Sequence, residues 1–205
     1  IDILAEEETA RVAHEIGAGL AGLGYRVALA GVTDDVAAAV APFSPREWLV
    51  FNLCESPGGD TAREPEVPRL LETRGFVYTG SAADTLAACL DKGLTKARLA
   101  AHGLATARYA VLSSPDEPCQ VPLPALVKPV AEDGSIGISL DSVVRQPEEL
   151  APRVAYVLER YRQPALIEEF IAGREFNQGV WGNDPPQALP VAEIDYQGID
   201  DPLQR

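Results

Sequence analysis

The stretch PALVKP at residues 124–129, followed after Val130 by AEDGSIG at residues 131–137, decides how this chain is read. A short apolar run ends in Lys128, and a polar loop carrying Gly134 and Gly137 comes next. A lysine leaving a strand beside a loop rich in free backbone N–H groups suits a polyphosphate, because the ammonium and the N–H dipoles both attract oxyanions. Farther along, PALIEEFIAGREF at residues 164–176 sets Glu168, Glu169 and Glu175 around a second apolar run. Carboxylates repel phosphate, so they belong at the other end of a bound molecule, where they accept hydrogen bonds from an exocyclic amine or ribose hydroxyls. The two patterns together predict a ligand with an anionic end and a hydroxyl-bearing end, such as ATP.

Working outward, the totals narrow the field. A chain of 205 residues with 46% apolar side chains can bury one large core or two smaller ones. Its formal charge of −14 argues against a nucleic-acid partner, since that binding rests on neutralising phosphates with Lys and Arg. An acidic nucleotide binder has to place its few cations locally. The lysines are three, Lys92, Lys96 and Lys128, so each is informative, set against the plain reading of a solvated surface charge. Charge or proline breaks every apolar run well before the roughly 20 residues a spanning helix needs, and no basic segment leads into an apolar one at the start, so no membrane role is expected. Three cysteines, Cys54, Cys89 and Cys119, at spacings that match no metal motif, favour a reducing, cytoplasmic setting. No metal ligands are assigned within the chain.

Taken in order, residues 6–23 predict an amphipathic helix with Val12, Ala13, Ile16, Leu20 and Leu23 as its apolar stripe. It contains GAGLAG at residues 17–22, a literal match to the dinucleotide fingerprint. That match sits at the end of a helix and precedes a strand, the reverse of what the fingerprint requires, so the glycines read as close-packing residues with Gly24 as the helix stop. Strands are expected at 25–30, 48–53 and 76–79, the second one buried. Helices are expected at 34–40, capped by Thr33 or Asp34, and at 64–73, 82–90 and 91–102, the last with Leu94 and Leu99 inward. This alternation predicts a small doubly wound parallel-sheet domain over residues 1–80. Residues 113–124, rich in Pro, Ser and charge, read as a linker between strands 108–112 and 125–128. A helix at 147–162 and strands at 165–169, 175–181 and 189–196 then predict an antiparallel sheet with one covering helix.

The segments FNLCESPGG (51–59), EVPRLLETRGFVYTGS (66–81), LDKGLTKARLAAHGL (90–104), LVKPVAEDGSIGISLDSVV (126–144) and ALIEEFIAGREFNQGVWG (165–182) resemble, in order, the signatures of D-alanine–D-alanine ligase-like proteins of the ATP-grasp superfamily. The resemblance runs from about residue 6 to 196. It implies an α/β chain in which a Rossmann-like domain, residues 1–80, precedes an α+β ATP-grasp region, residues 81–205. That region would hold a central subdomain at about 106–170 and the start of a C-terminal subdomain at 171–205. It further implies that Lys92 and Lys128 hold the α- and β-phosphates of ATP, and that the loop of Glu132, Gly134, Ser135 and Ile136 covers them. Glu168 would face the adenine amine or the hinge, main-chain groups of Glu169, Phe170 and Ile171 would read the adenine edge, and Glu175 would accept the ribose hydroxyls. For the Glu169 and Asp133 side chains, solvated charge is the favoured reading.

The implied reaction has a carboxylate attack the γ-phosphate, after which an amine displaces phosphate from the acyl phosphate to form an amide. Phosphoryl transfer asks for positioning and charge neutralisation, so Lys92, Lys128 and Mg²⁺ would do most of it. Glu7 would orient the amine of a first amino acid and Ser135 would act close to the reacting groups. An acidic first helical turn is also ordinary helix-dipole chemistry. Substrates are expected to be amino acids or peptides, and a homodimer is one assembly left open. The chain departs from the family pattern twice. Where ligases carry a His-Gly then Glu-Asp-Gly motif it reads ESPGGDTAREPE (55–66), with only Glu64 near the acidic position. His14 and His102 fall on helices, as surface residues. The chain also ends at DDPLQR, before the strand that supplies the Mg²⁺ ligands, so a missing C-terminal part is expected. Three readings follow: an amide-forming ligase, a non-catalytic nucleotide-binding module, and a kinase with a hydroxyl acceptor.

Overall fold

Side chains alternate between the two faces of a strand, so strand register decides which residues share a surface. In the computed structural model, which describes residues 3–133 and 135–199 with side chains from Thr9 onward, that register sorts a four-stranded sheet cleanly. Its strands are β3 (Tyr109–Leu112), β4 (Ala125–Pro129), β5 (Val143–Val144) and β6 (Ala165–Glu169), in the antiparallel order β3-β6-β4-β5. Val127 stands opposite Ile167, and Ala125 and Ala165 share their face. All four are fully buried and pack with Leu112 and Val144 against Val154 and Val157 of helix α6 (Pro147–Tyr161). Burying each large aliphatic side chain contributes roughly 1.5–3 kcal/mol, so this face holds the sheet together. The opposite face carries Leu126, Lys128, Leu166, Glu168 and Tyr109, by the pairings Leu126 with Glu168, Lys128 with Leu166, and Tyr109 with Glu168.

Helix α6 begins where its sequence says it should. Pro147 takes the first turn, where its missing N–H costs nothing, and the Glu149 carboxylate accepts from the amides of Arg145 and Gln146 at 2.7 and 3.1 Å. The residues read as a linker, 113–124, are more than a connector: Cys119, Val121 and Leu123 pack onto the same core. Past β6 the chain forms a hairpin of β7 (Phe176–Trp181) and β8 (Gln187–Glu193), exposed on both faces.

The chain divides into two compact units. The first runs to Thr95 and takes in the short stretch beginning at Ala131; the second holds Lys96–Val130 and the chain from Ser135 onward. The first unit opens with helix α1 (Ile3–Gly22), whose stripe of Val12, Ala13, Ile16 and Leu20 is half-buried, as its spacing predicts. Leu23 is the exception, 76% exposed. Gly17 is buried, and a side chain there would meet Val27 and Leu29, which fits the close-packing reading of the glycine run. Gly24, at φ +90°, ends the helix, with the Tyr25 amide turning back to the Leu20 carbonyl at 3.2 Å.

Further along, helix α2 (Val36–Val40) is capped by Asp35, not by Thr33 or Asp34. Asp34 is held by Arg63 instead. Val36 and Val40 form a core with Val67 and Leu71 of helix α3 (Glu66–Arg74) and with Phe76. Pro68 is tolerated in α3 because the first-turn amides have no helical partner in any case. Helices α4 (Ala83–Leu90) and α5 (Lys92–Ala101) follow as expected, the latter stopped at Gly103.

The parallel sheet is smaller than the sequence predicts. Strand β1 is only Leu49–Val50 and pairs in parallel with β2, Val77–Tyr78. Leu49 is 58% exposed, so the expected buried strand over 48–53 is neither long nor buried. Residues 25–30 are exposed and pair with no strand among the described residues. Their apolar alternation is real, but it lays Val27 and Leu29 against Gly17 of α1 instead of entering a sheet. Among the described residues, no helix is long and apolar enough to cross a membrane.

Candidate functional site

The charged face of the four-stranded sheet is built around Glu168. The end of strand β6 places its carboxylate between two ammonium groups, with Lys96 Nζ 2.5 Å from Oε1 and Lys128 Nζ 2.7 Å from Oε2. Lys128 reaches it from β4, two residues along the strand from Leu126, which stands opposite Glu168. Lys96 reaches it from α5. Its side chain is only 8% exposed, and its ammonium also donates to Thr106 Oγ1 at 2.8 Å and lies 5.3 Å from the centre of the Tyr109 ring. The cluster therefore joins two positive charges and one negative on a half-buried surface.

Burial alone would raise the Glu168 pKa. Hydrogen bonds from Lys128 and Lys96 outweigh it and hold the carboxyl below its ordinary 4.5. A carboxyl depressed on folding adds stability that is complete above its unfolded pKa and is lost as pH falls through the folded one. In urea unfolding, the wild type should therefore lose stability faster than a Glu168→Gln variant once pH drops below about 4.5, with the gap between them constant at neutral pH. Parallel pH curves for the two proteins would contradict this.

The neighbours of the cluster are more solvated. Glu169 makes a bidentate pair with Arg108 at 2.8 and 2.9 Å on exposed ground, a surface pair of small energetic weight. Its hydrogen bond from Arg108, more than the opposing burial, holds its pKa down. The Glu169 and Phe170 amides donate to the carbonyls of Arg108 and Pro124 at 2.8 and 3.0 Å. Ile171 is 70% exposed. Glu175 is exposed, and its carboxylate accepts from the Tyr196 hydroxyl at 2.5 Å.

The glycine-bearing loop divides between the two units. In the first, Lys92 at the start of α5 donates to the Glu132 carbonyl, and the Glu132 carboxylate accepts from Thr61 at 3.3 Å. Glu64 stands in the same unit with its pKa raised, by burial first and then by the charges of Asp133 and Glu55. Gly134 lies outside the described residues, as does the side chain of Glu7, whose backbone belongs to α1. In the second unit, Ser135 and Ile136 are exposed, and Ser135 takes the left-handed conformation at φ +62° that only a tight turn demands of a non-glycine residue. Gly137 follows at φ +80°, where a Cβ would lie 2.6 Å from Pro129, so no other residue fits. Arg153 of α6 anchors this end of the loop, donating to the Gly137 carbonyl at 2.9 Å and to the buried Ser142 hydroxyl at 2.6 Å.

Of the residues named from sequence, Lys128 and Glu168 are thus brought into direct contact, and Lys92 meets Glu132. Lys96 was singled out among the three lysines but given no role, and Thr106, Tyr109 and Arg153 were missed. The signal for Lys96 was present in LDKGLTK. On a helix, Lys92, Lys96 and Leu99 share a face that Leu94 does not, and Leu94 is 42% exposed where it was expected inward.

Among the described residues, no three His, Cys, Asp or Glu side chains gather to hold a metal ion. Among the described residues Lys128 has Glu168 as its ion-pair partner, and an ammonium carries three N–H donors.

Residues 99–200 match the family model described as D-ala D-ala ligase C-terminus. The D-alanine–D-alanine ligase of Gluconobacter oxydans is 33% identical over 174 residues, which cover 83% of this chain and 54% of that protein. That of Desulforudis audaxviator is 33% identical over 197 residues, covering 93% and 62%. The solved structure of the D-alanine-D-alanine ligase from Coxiella burnetii matches with a TM-score of 0.56 at 27% identity, over 64% of this chain and 41% of that one. The chain spans about half to three-fifths of the length of the curated relatives it matches.

Proposed function

Because the chain belongs to the D-alanine–D-alanine ligase-like proteins of the ATP-grasp superfamily, we propose that it carries the nucleotide-holding machinery of an ATP-dependent ligase that joins a carboxylate to an amine. The observation that carries this reading is Lys128, held at one oxygen of Glu168 with N–H groups left for a ligand. ATP supplies the phosphoryl group that activates the carboxylate, and the amine then displaces phosphate.

In this reading Lys128 and Lys92 bind phosphate oxygens, and the loop of Glu132, Gly134, Ser135 and Ile136 covers them. Each oxygen of the Glu168 carboxylate has a second lone pair, so it can accept the adenine amine while both lysines stay bound. The Glu169 and Phe170 amides are already occupied, so reading of the adenine edge falls to carbonyls of that segment and to Ile171. Glu175 accepts the ribose hydroxyls, Glu7 orients the attacking amine, and Ser135 stands near the reacting groups. Residues 1–80 and 81–205 serve as the two domains of the fold, in a cytoplasmic protein acting on amino acids or peptides.

The test is turnover by the full-length protein with ATP and a panel of D-amino acids, following ADP, phosphate and the amide product. Amide formed in step with ADP is the expected result. ATP binding without turnover would instead support a non-catalytic nucleotide module, and a phosphorylated hydroxyl product a kinase. Either would overturn the ligase reading.

A further inference from the structure

Lys96 differs from Lys128 in what remains of its bonding capacity. An ammonium has three N–H donors. Those of Lys96 are taken by Glu168 Oε1 at 2.5 Å, Thr106 Oγ1 at 2.8 Å and the Ala107 carbonyl at 3.5 Å, and the side chain is 8% exposed. Lys128, 17% exposed, meets the other oxygen of the same carboxylate. Lys96 therefore has nothing left to offer a ligand, but it decides what Glu168 can do. Without it, both carboxylate oxygens are free to close on Lys128, occupying its donors and cancelling its charge. With it, the three groups sum to one positive charge, and Lys128 keeps N–H groups for an oxyanion.

We propose that Lys96 is a positioning residue, which holds one oxygen of Glu168 so that Lys128 stays partly unpaired and positive for the phosphate of a nucleotide. This rests on the reading of Lys128 as a phosphate ligand and adds a residue that acts only through Glu168.

A cycle of variants in the full-length protein tests it, with ADP affinity measured by calorimetry. Lys96→Met should weaken ADP about tenfold in the wild-type background, the scale of one hydrogen bond to a charged group. In a Glu168→Gln background, where nothing neutralises Lys128, the same substitution should change the affinity less than about twofold. Equal losses in both backgrounds would overturn the proposal, since a direct phosphate contact or a general loosening of the fold acts regardless of Glu168. No loss in the wild-type background would also overturn it. If Lys96→Met does not fold, Thr106→Val removes one tether without removing the charge and should give a smaller loss with the same dependence on Glu168. Failure of the wild type to bind ADP at all would instead remove the nucleotide reading itself, so the two failures are distinct.

Discussion

Replacing Lys128 with alanine in the full-length protein is expected to weaken ATP about 100-fold and to leave the melting temperature within a few degrees of wild type. The first part follows from the loss of charge-assisted hydrogen bonds to phosphate, roughly 1.5–3 kcal/mol each on a half-buried surface. The second follows from what is left behind. Glu168 loses one ammonium but keeps Lys96, so no buried charge is stranded. Titration calorimetry with ATP, paired with a thermal melt, separates the two quantities. Unchanged affinity would remove Lys128 from the phosphate site, and a collapsed melt would make it a structural residue.

Glu168→Leu should do the opposite to stability. Its carboxylate is the one anion between two ammonium groups, and Lys96 is buried against Thr106 and Tyr109. Removing it leaves a desolvated positive charge facing another, and breaking a buried pair in this way costs about 3–5 kcal/mol. Urea unfolding should show a loss of unfolding free energy of that size, largely restored in the double variant Lys96→Met/Glu168→Leu, where the stranded charge is gone. A single variant as stable as wild type, or a double variant that recovers nothing, would show that the pairing does not hold this face together.

These expectations come from a site that was only partly visible in the sequence. Lys128 and Glu168 were legible because each sits at the polar end of a short apolar run, where strand alternation turns it away from the core. The strands 125–129 and 165–169 and the helix 147–161 were legible for the same reason, since they follow their periodicities closely. Their sheet was not: 165–169 was expected to pair with 175–181 and 189–196, whereas among the described residues β6 lies between β3 and β4, and β7 and β8 form a sheet of their own. Lys96 was not, because an apolar stripe read through Leu94 assigns a lysine to solvent by default, whereas the helix buries it beside a carboxylate that comes from far along the chain. The small parallel sheet was overestimated for a related reason. Apolar alternation at 25–30 specifies that Val27 and Leu29 cover something, and here they cover Gly17 of a helix rather than join a strand. Local pattern fixes which side chains seek shelter, and partners distant in sequence decide where they find it.

The strand β6 binds these observations into one consequence. Ala165 and Ile167 are wedged under α6, while Leu166 and Glu168, the residues between and beyond them, face the other way. The aliphatic layer thus works as a mounting plate for the ion cluster on its reverse side, and trimming a valine of α6 tilts the plate. If Lys128 holds a nucleotide as proposed, its affinity is adjustable from behind, by substitutions at Val154 or Val157 that never touch a charge.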